Sequence, residues 1–168
     1  MEERYPVAYN LGSGDTRWPG WIGVDIDPRA DLQSDLRKLP IESDSADAVA
    51  AIHVVEHFYE WEVPELLTEW KRILKPGGKM ILELPCMNKV ADYIGWCSQN
   101  KQDMLPFMSI QALYGDAGPS RNEAMAHKFG WFTAPLIRVL ESIGMREVTV
   151  CQCRYHFPCR DMRLECTK

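Results

Sequence analysis

Apolar and polar positions follow a regular succession along this chain. Val7 to Leu11 alternates and predicts a first strand, and Trp21 to Ile26 a second. A short third strand fits around Asp31-Leu32-Gln33. Ala46 to Val55 is an almost unbroken apolar run, the pattern of a central strand covered on both faces. From Val63 to Lys75, Leu66, Leu67, Trp70, Ile73 and Leu74 recur at helical spacing, with Pro64 near the start and Pro76-Gly77-Gly78 after the end. Glu60, Glu62 and Glu65 lie at the positive end of that helix's dipole, Lys71, Arg72 and Lys75 at the negative end. Trp70 is expected in the core. Lys79 to Leu84 reads as strand five, stopped by Pro85. The pattern then blurs, with helices expected over Asn88–Asn100 and Met104–Tyr114 and a loop over Gly115–Ser120. Thr133 is expected to cap a helix running to Ile143, ended by Gly144. Val148–Val150 and Asp161–Cys166 alternate as two closing strands.

The first two strands are joined by Gly12-Ser13-Gly14 and then Trp18-Pro19-Gly20-Trp21, which leaves no room for a full helix. An apolar strand, a glycine turn and a second strand ending in a carboxylate is how a doubly wound sheet builds a nucleoside site. A dinucleotide fingerprint needs a third glycine and an acid about 20 residues on. Arg17 stands at that glycine position and Asp25 follows Gly14 by only 11 residues. A nicotinamide oxidoreductase is therefore disfavoured. Asp25 is the candidate ribose acid, while Asp27, followed by Pro28, suits a turn. Strand four points His53 at the same carboxyl edge.

Further motifs extend this plan in order: Asn10-Leu11-Gly12-Ser13-Gly14, Gly23-Val24-Asp25-Ile26-Asp27-Pro28, Ser34-Asp35-Leu36-Arg37-Lys38-Leu39-Pro40, Asp47 opening the apolar run, His53-Val54-Val55-Glu56-His57, and Arg72-Ile73-Leu74-Lys75-Pro76-Gly77-Gly78-Lys79. In that order they resemble the small class I S-adenosylmethionine-dependent methyltransferases (type 11-like), closely over residues 6–85. The resemblance implies an α/β, Rossmann-like, mostly parallel seven-stranded sheet of order 3-2-1-4-5-7-6 with flanking helices, here with a shortened first crossover. It implies S-adenosyl-L-methionine as cofactor and S-adenosyl-L-homocysteine as product, held by Asn10, Gly12, Ser13, Gly14, Asp25, Ile26, Asp35, Leu36 and His53. Asp35 and Leu36 would meet the adenine, and Trp18 or Trp21 would wall the open side. Residues 86–132 would form a substrate lid. His127, His57 and His53 are the candidate bases. The alternative readings are His53 as a structural hydrogen-bonder under the cofactor, His57 with Glu56 as a loop brace, and His127 as a satisfied loop histidine. His156 is expected to lie outside the site.

At 168 residues, 46% hydrophobic and 26% charged, the chain is expected to form one domain over 1–168. Its net charge of −5 disfavours nucleic acid as the acceptor, since phosphate binding needs clustered Lys and Arg. A small-molecule or glycan hydroxyl or amine is the expected acceptor. The second hypothesis is a cofactor-binding but catalytically silent partner subunit. No apolar run would span a membrane, and Met1-Glu2-Glu3-Arg4 does not read as a signal peptide, so a cytoplasmic location is expected, with a homodimer left open. Cys151, Cys153, Cys159 and Cys166 cluster near the end, with no standard zinc spacing, and are expected to be mostly buried free thiols. No metal ligands are assigned.

Overall fold

The computed structural model describes residues 5–100, 106–115 and 123–168. Its strands are β1 (Ala8–Leu11), β2 (Ile22–Asp25), β3 (Leu32–Gln33), β4 (Ala46–Ile52), β5 (Leu74–Pro85), β6 (Arg146–Cys151) and β7 (Asp161–Thr167). The helices are α1 (Val63–Ile73), α2 (Met87–Gln99), α3 (Pro106–Tyr114) and α4 (Thr133–Ser142). One sheet holds all seven strands in the order β3-β2-β1-β4-β5-β7-β6, as the motif order implied. β7 runs antiparallel to both its neighbours and the other pairings are parallel. Among the described residues, no helix is long and apolar enough to cross a membrane.

The central strand is built from small residues. β4 reads Ala-Asp-Ala-Val-Ala-Ala-Ile, and Ala46, Ala48, Val49, Ala50 and Ala51 are buried. Small side chains let the neighbouring layers approach the sheet closely. Its one acid, Asp47, accepts the Val7 amide (2.9 Å) and pairs with Lys75 (2.7 Å), so it latches the strand's amino end. α1 lays Leu66, Leu67, Trp70 and Ile73 into the core, all buried. Burying each of these adds roughly 1.5–3 kcal/mol. The Trp70 indole donates to the Leu36 carbonyl (3.0 Å), which ties the loop after β3 to the helix.

Several boundaries depart from the periodicity. α1 ends at Ile73, and β5 begins at once at Leu74, with Pro76-Gly77-Gly78 inside an irregular start where the register shifts. Thr133 opens α4 but is not its cap: Phe132 holds that position and the Thr133 hydroxyl donates to Met162 Sδ (3.3 Å). No helix stands between β1 and β2, as Pro19 and the glycines around it required. The expected loop over Gly115–Ser120 and the start of the Met104–Tyr114 helix fall outside the described residues, apart from Gly115 and Pro106 onward. All six cysteines are free. Cys86, Cys97, Cys153 and Cys166 are buried, whereas Cys159 is exposed.

Candidate active site at the carboxyl edge of the sheet

β1 ends in a turn that only glycine makes cheaply. Gly12 and Gly14 both have positive φ (71° and 54°), and a Cβ on Gly12 would come 2.4 Å from Val54 Cγ2. Gly12 and Ser13 donate to the Val24 carbonyl (2.8 and 3.3 Å), fixing the turn against β2. Gly14 donates to Asp25 Oδ2 (2.7 Å) and Asp27 to Asp25 Oδ1 (2.9 Å). The Asp25 carboxylate is thus aimed by the turn and keeps lone pairs for further donors. Asn10 and Ser13 are buried beneath it, while Ile26 next door is 58% exposed, a large apolar side chain left facing outward.

Asp27 is engaged elsewhere. It accepts the Arg29 amide and pairs with the Arg29 guanidinium (2.7 Å), which holds its pKa down at about 2. The same guanidinium reaches Asp15 (2.7 Å) beyond the glycine turn. Asp35 lies exposed in a turn, accepting the Arg37 amide (2.9 Å), and Leu36 beside it is buried.

β4 delivers His53 in the left-handed region (φ 56°), a backbone conformation that costs a non-glycine residue roughly 1–3 kcal/mol. Its amide donates to the Glu83 carbonyl (2.7 Å). His53 Nε2 lies 3.3 Å from Asp161 Oδ2 and Nδ1 3.1 Å from Glu56 Oε1. Burial opposes the charged ring, yet the two carboxylates outweigh it and lift the pKa to about 9. Glu56, 2% exposed, is opposed by burial but kept ionised by His53, His57 and His127 around it. His127 Nε2 faces the same carboxylate oxygen at 3.8 Å, and His127 Nδ1 donates to the Ala112 carbonyl (2.9 Å). Burial pushes the His127 pKa down, against the pull of Glu56. His57 Nδ1 donates to the Ala126 carbonyl (3.1 Å), and its ring lies edge-on to His127 at 4.9 Å.

The three candidate histidines therefore come together, but around a carboxylate. His156, expected to lie outside the site, packs tilted against His53 with ring centroids 4.0 Å apart. The correction has a clear cause: the connection between β6 and β7 folds back over the sheet edge. Buried Glu83 accepts the amides of Arg154 (2.9 Å), Tyr155 (2.9 Å) and His156 (2.8 Å) and also meets Arg163 (3.2 Å). Lys89 of α2 donates to the Pro158 and Asp161 carbonyls. Tyr155 then stacks on Trp18 at 4.5 Å, which joins this connection to the one between β1 and β2. Sequence reasoning missed Glu83, Asp161, Arg160 and the role of Glu56. A carboxylate set within the apolar stretch Met80–Leu84 was the one available signal.

Comparison with known proteins agrees with this architecture. A family model described as a methyltransferase domain matches residues 21–82. A probable S-adenosylmethionine-dependent methyltransferase of Mycolicibacterium smegmatis is 34% identical over 76 residues, 38% of this chain and 29% of that protein's length. The chain thus matches under a third of that curated relative. The fold superposes on S-adenosylmethionine-dependent methyltransferases of Archaeoglobus fulgidus (TM-score 0.65, 15% identity, 96% of this chain and 86% of that one) and Thermotoga maritima (TM-score 0.67, 17% identity, 100% and 84%). The family match from β2 into β5, set on this strand order, makes the chain similar to the class I S-adenosylmethionine-dependent methyltransferases and gives it their fold.

Proposed function

We propose that this chain transfers a methyl group from S-adenosylmethionine to a hydroxyl or amine of a small molecule or glycan. The observation that carries the reading is the convergence of the glycine turn, Asp25 and the histidine cluster on one carboxyl edge, where ligands of doubly wound sheets bind. The residues fit the cofactor. Gly14 opens onto free space, Asp25 is pre-aimed with lone pairs to spare, and exposed Ile26 offers an apolar face to a base. Asn10, Gly12, Ser13 and Gly14 would line the amino-acid end, Asp25 would take the ribose hydroxyls, and Asp35 and Leu36 the adenine. The bound cofactor supplies an electrophilic methyl group on a sulfonium.

The chain's part is alignment and proton removal. Holding the acceptor in line is the larger effect, and a positioned base adds ~10²–10⁴-fold. Among the three histidines, His57 is the best placed. Its Nδ1–H is fixed by the Ala126 carbonyl, and Nε2 has no hydrogen-bond partner among the described residues. His53 and His127 direct ring nitrogens at Glu56 and act as positioning residues. Residues 86–132 would wall the acceptor pocket.

Calorimetric titration with S-adenosylhomocysteine tests the site. Micromolar binding weakened more than tenfold by Asp25→Ala (over ~1.4 kcal/mol) supports it, and no binding to the wild type overturns it. For His57→Gln, retained cofactor affinity with an acceptor turnover loss near 10²-fold is expected. Turnover unchanged in that variant removes His57 as base. Cofactor binding without methyl transfer to any acceptor class would favour the silent-partner reading.

A further inference from the structure

The cluster around Glu56 is poorly explained as a set of hydrogen bonds. Glu56 is 2% exposed, and neither of its carboxylate oxygens receives a well-aligned hydrogen bond: His53 Nδ1 is an ion-pair neighbour at 3.1 Å and His127 Nε2 stands 3.8 Å from the same Oε1. A buried carboxylate with so few aligned donors is costly. His127 adds to the problem. Its Nδ1–H is committed to the Ala112 carbonyl, so the neutral ring turns a lone pair, not a proton, toward the Glu56 oxygen. Two acceptors facing each other in a buried space call for a cation between them.

From this we infer that His53, Glu56 and His127 form a binding site for one divalent transition-metal ion. The donor atoms His53 Nδ1, a Glu56 carboxylate oxygen and His127 Nε2 lie within 4.8 Å of one another. Donors on one tetrahedral ion with bonds of about 2.0–2.2 Å are spaced about 3.3–3.6 Å apart, so side-chain rotations that draw the three donors together suffice. Two imidazoles and one carboxylate suit zinc or ferrous iron and leave a coordination position open. The far side of each ring is also built as metal-ligating histidines require: His53 Nε2 faces the Asp161 carboxylate (3.3 Å) and His127 Nδ1 donates to a backbone carbonyl (2.9 Å). Asp161 is in turn held by Arg160 (2.7 Å).

A second grouping, His53 with His156 and Asp161, has compatible donor spacing but a less suitable carboxylate. Both Asp161 oxygens already accept from Arg160, and one also from the Phe157 amide. Glu56 is the carboxylate whose acceptor positions are unfilled. It sits after the end of β4, on the carboxyl edge where the cofactor is proposed to bind, so the open coordination place would take an oxygen or nitrogen of the acceptor. That last role rests on the methyltransferase reading; the metal site itself does not.

The test is titration of the chelator-treated full chain with Zn²⁺ and, for its spectrum, Co²⁺. The expected result is one equivalent bound in the micromolar range or tighter, with no thiolate-to-cobalt charge-transfer band. Glu56→Gln and His127→Gln should each weaken binding at least tenfold, while His156→Gln should leave it unchanged. Circular dichroism and S-adenosylhomocysteine affinity, measured on the same variants, report folding and the cofactor site separately. Should Glu56→Gln fail to fold, His127→Gln decides alone. Absence of stoichiometric binding, binding indifferent to both substitutions, or a thiolate band would overturn the site without touching the cofactor assignment.

Discussion

Glu83 offers the sharpest test of how the sheet edge is closed. It is completely buried at the end of β5, and its carboxylate accepts three consecutive amides, from Arg154, Tyr155 and His156, besides meeting the Arg163 guanidinium. Glu83→Ala strands those amides and leaves Arg163, itself buried, with Glu165 (2.8 Å) as its remaining carboxylate partner among the described residues. Breaking a buried pair by removing one partner typically costs about 3–5 kcal/mol. The amides can turn to water once the connection loosens, so the lower half of that range, roughly 3–4 kcal/mol, is expected. For a chain of this size that corresponds to a melting point lower by roughly 10 °C. Glu83→Gln keeps one acceptor but turns an amide NH₂ toward donors, so it should fall between wild type and alanine. Urea unfolding followed by circular dichroism gives the free energies. Hydrogen exchange at Arg154, Tyr155 and His156 reports whether the connection has come free. A loss under about 1 kcal/mol with unchanged protection would refute the idea that this carboxylate fastens the edge.

Two further outcomes follow from the same geometry. Gly12→Ala should cost roughly 2–4 kcal/mol, from the positive φ and the clash with Val54 combined, and should weaken S-adenosylhomocysteine binding; a fully stable variant with wild-type affinity would contradict so tight a turn. His53 supplies a pH signature. Its pKa is raised from 6.5 to about 9, so its stabilisation is complete below pH 6.5 and is lost as the pH climbs through 9. Chelator-treated wild type should therefore lose stability over that interval while His53→Gln shows a flatter profile, and parallel profiles would argue against the charged ring.

The strands, the long helix and the glycine turn are legible because each is written in neighbouring residues. Alternation marks β1 and β2, the unbroken run marks β4, and the early acid after Gly14 points to Asp25. The surroundings of His53 are hidden by distance along the chain. Asp161 lies 108 residues from it, and the amides that fill Glu83 lie 71 to 73 residues from their acceptor. No periodicity encodes such pairings. His156 escapes for the same reason: the connection between Cys151 and Asp161 carries no signal for the direction in which it folds. Thr133 shows the local version, a hydroxyl whose tertiary partner, Met162, outweighs its capping preference.

The fastening of Glu83 also sets an order of events during synthesis. Ribosomes add roughly 5–20 residues per second, and Arg154 follows Glu83 by 71 positions. For roughly 4 to 14 s, then, the nascent chain holds β5 with neither β7 alongside it nor any amide on its inward carboxylate. During that interval the charge itself is protective, since a strand edge carrying an ionised, hydrated side chain resists pairing with other chains. The group that later locks the edge shut would first serve to keep it single.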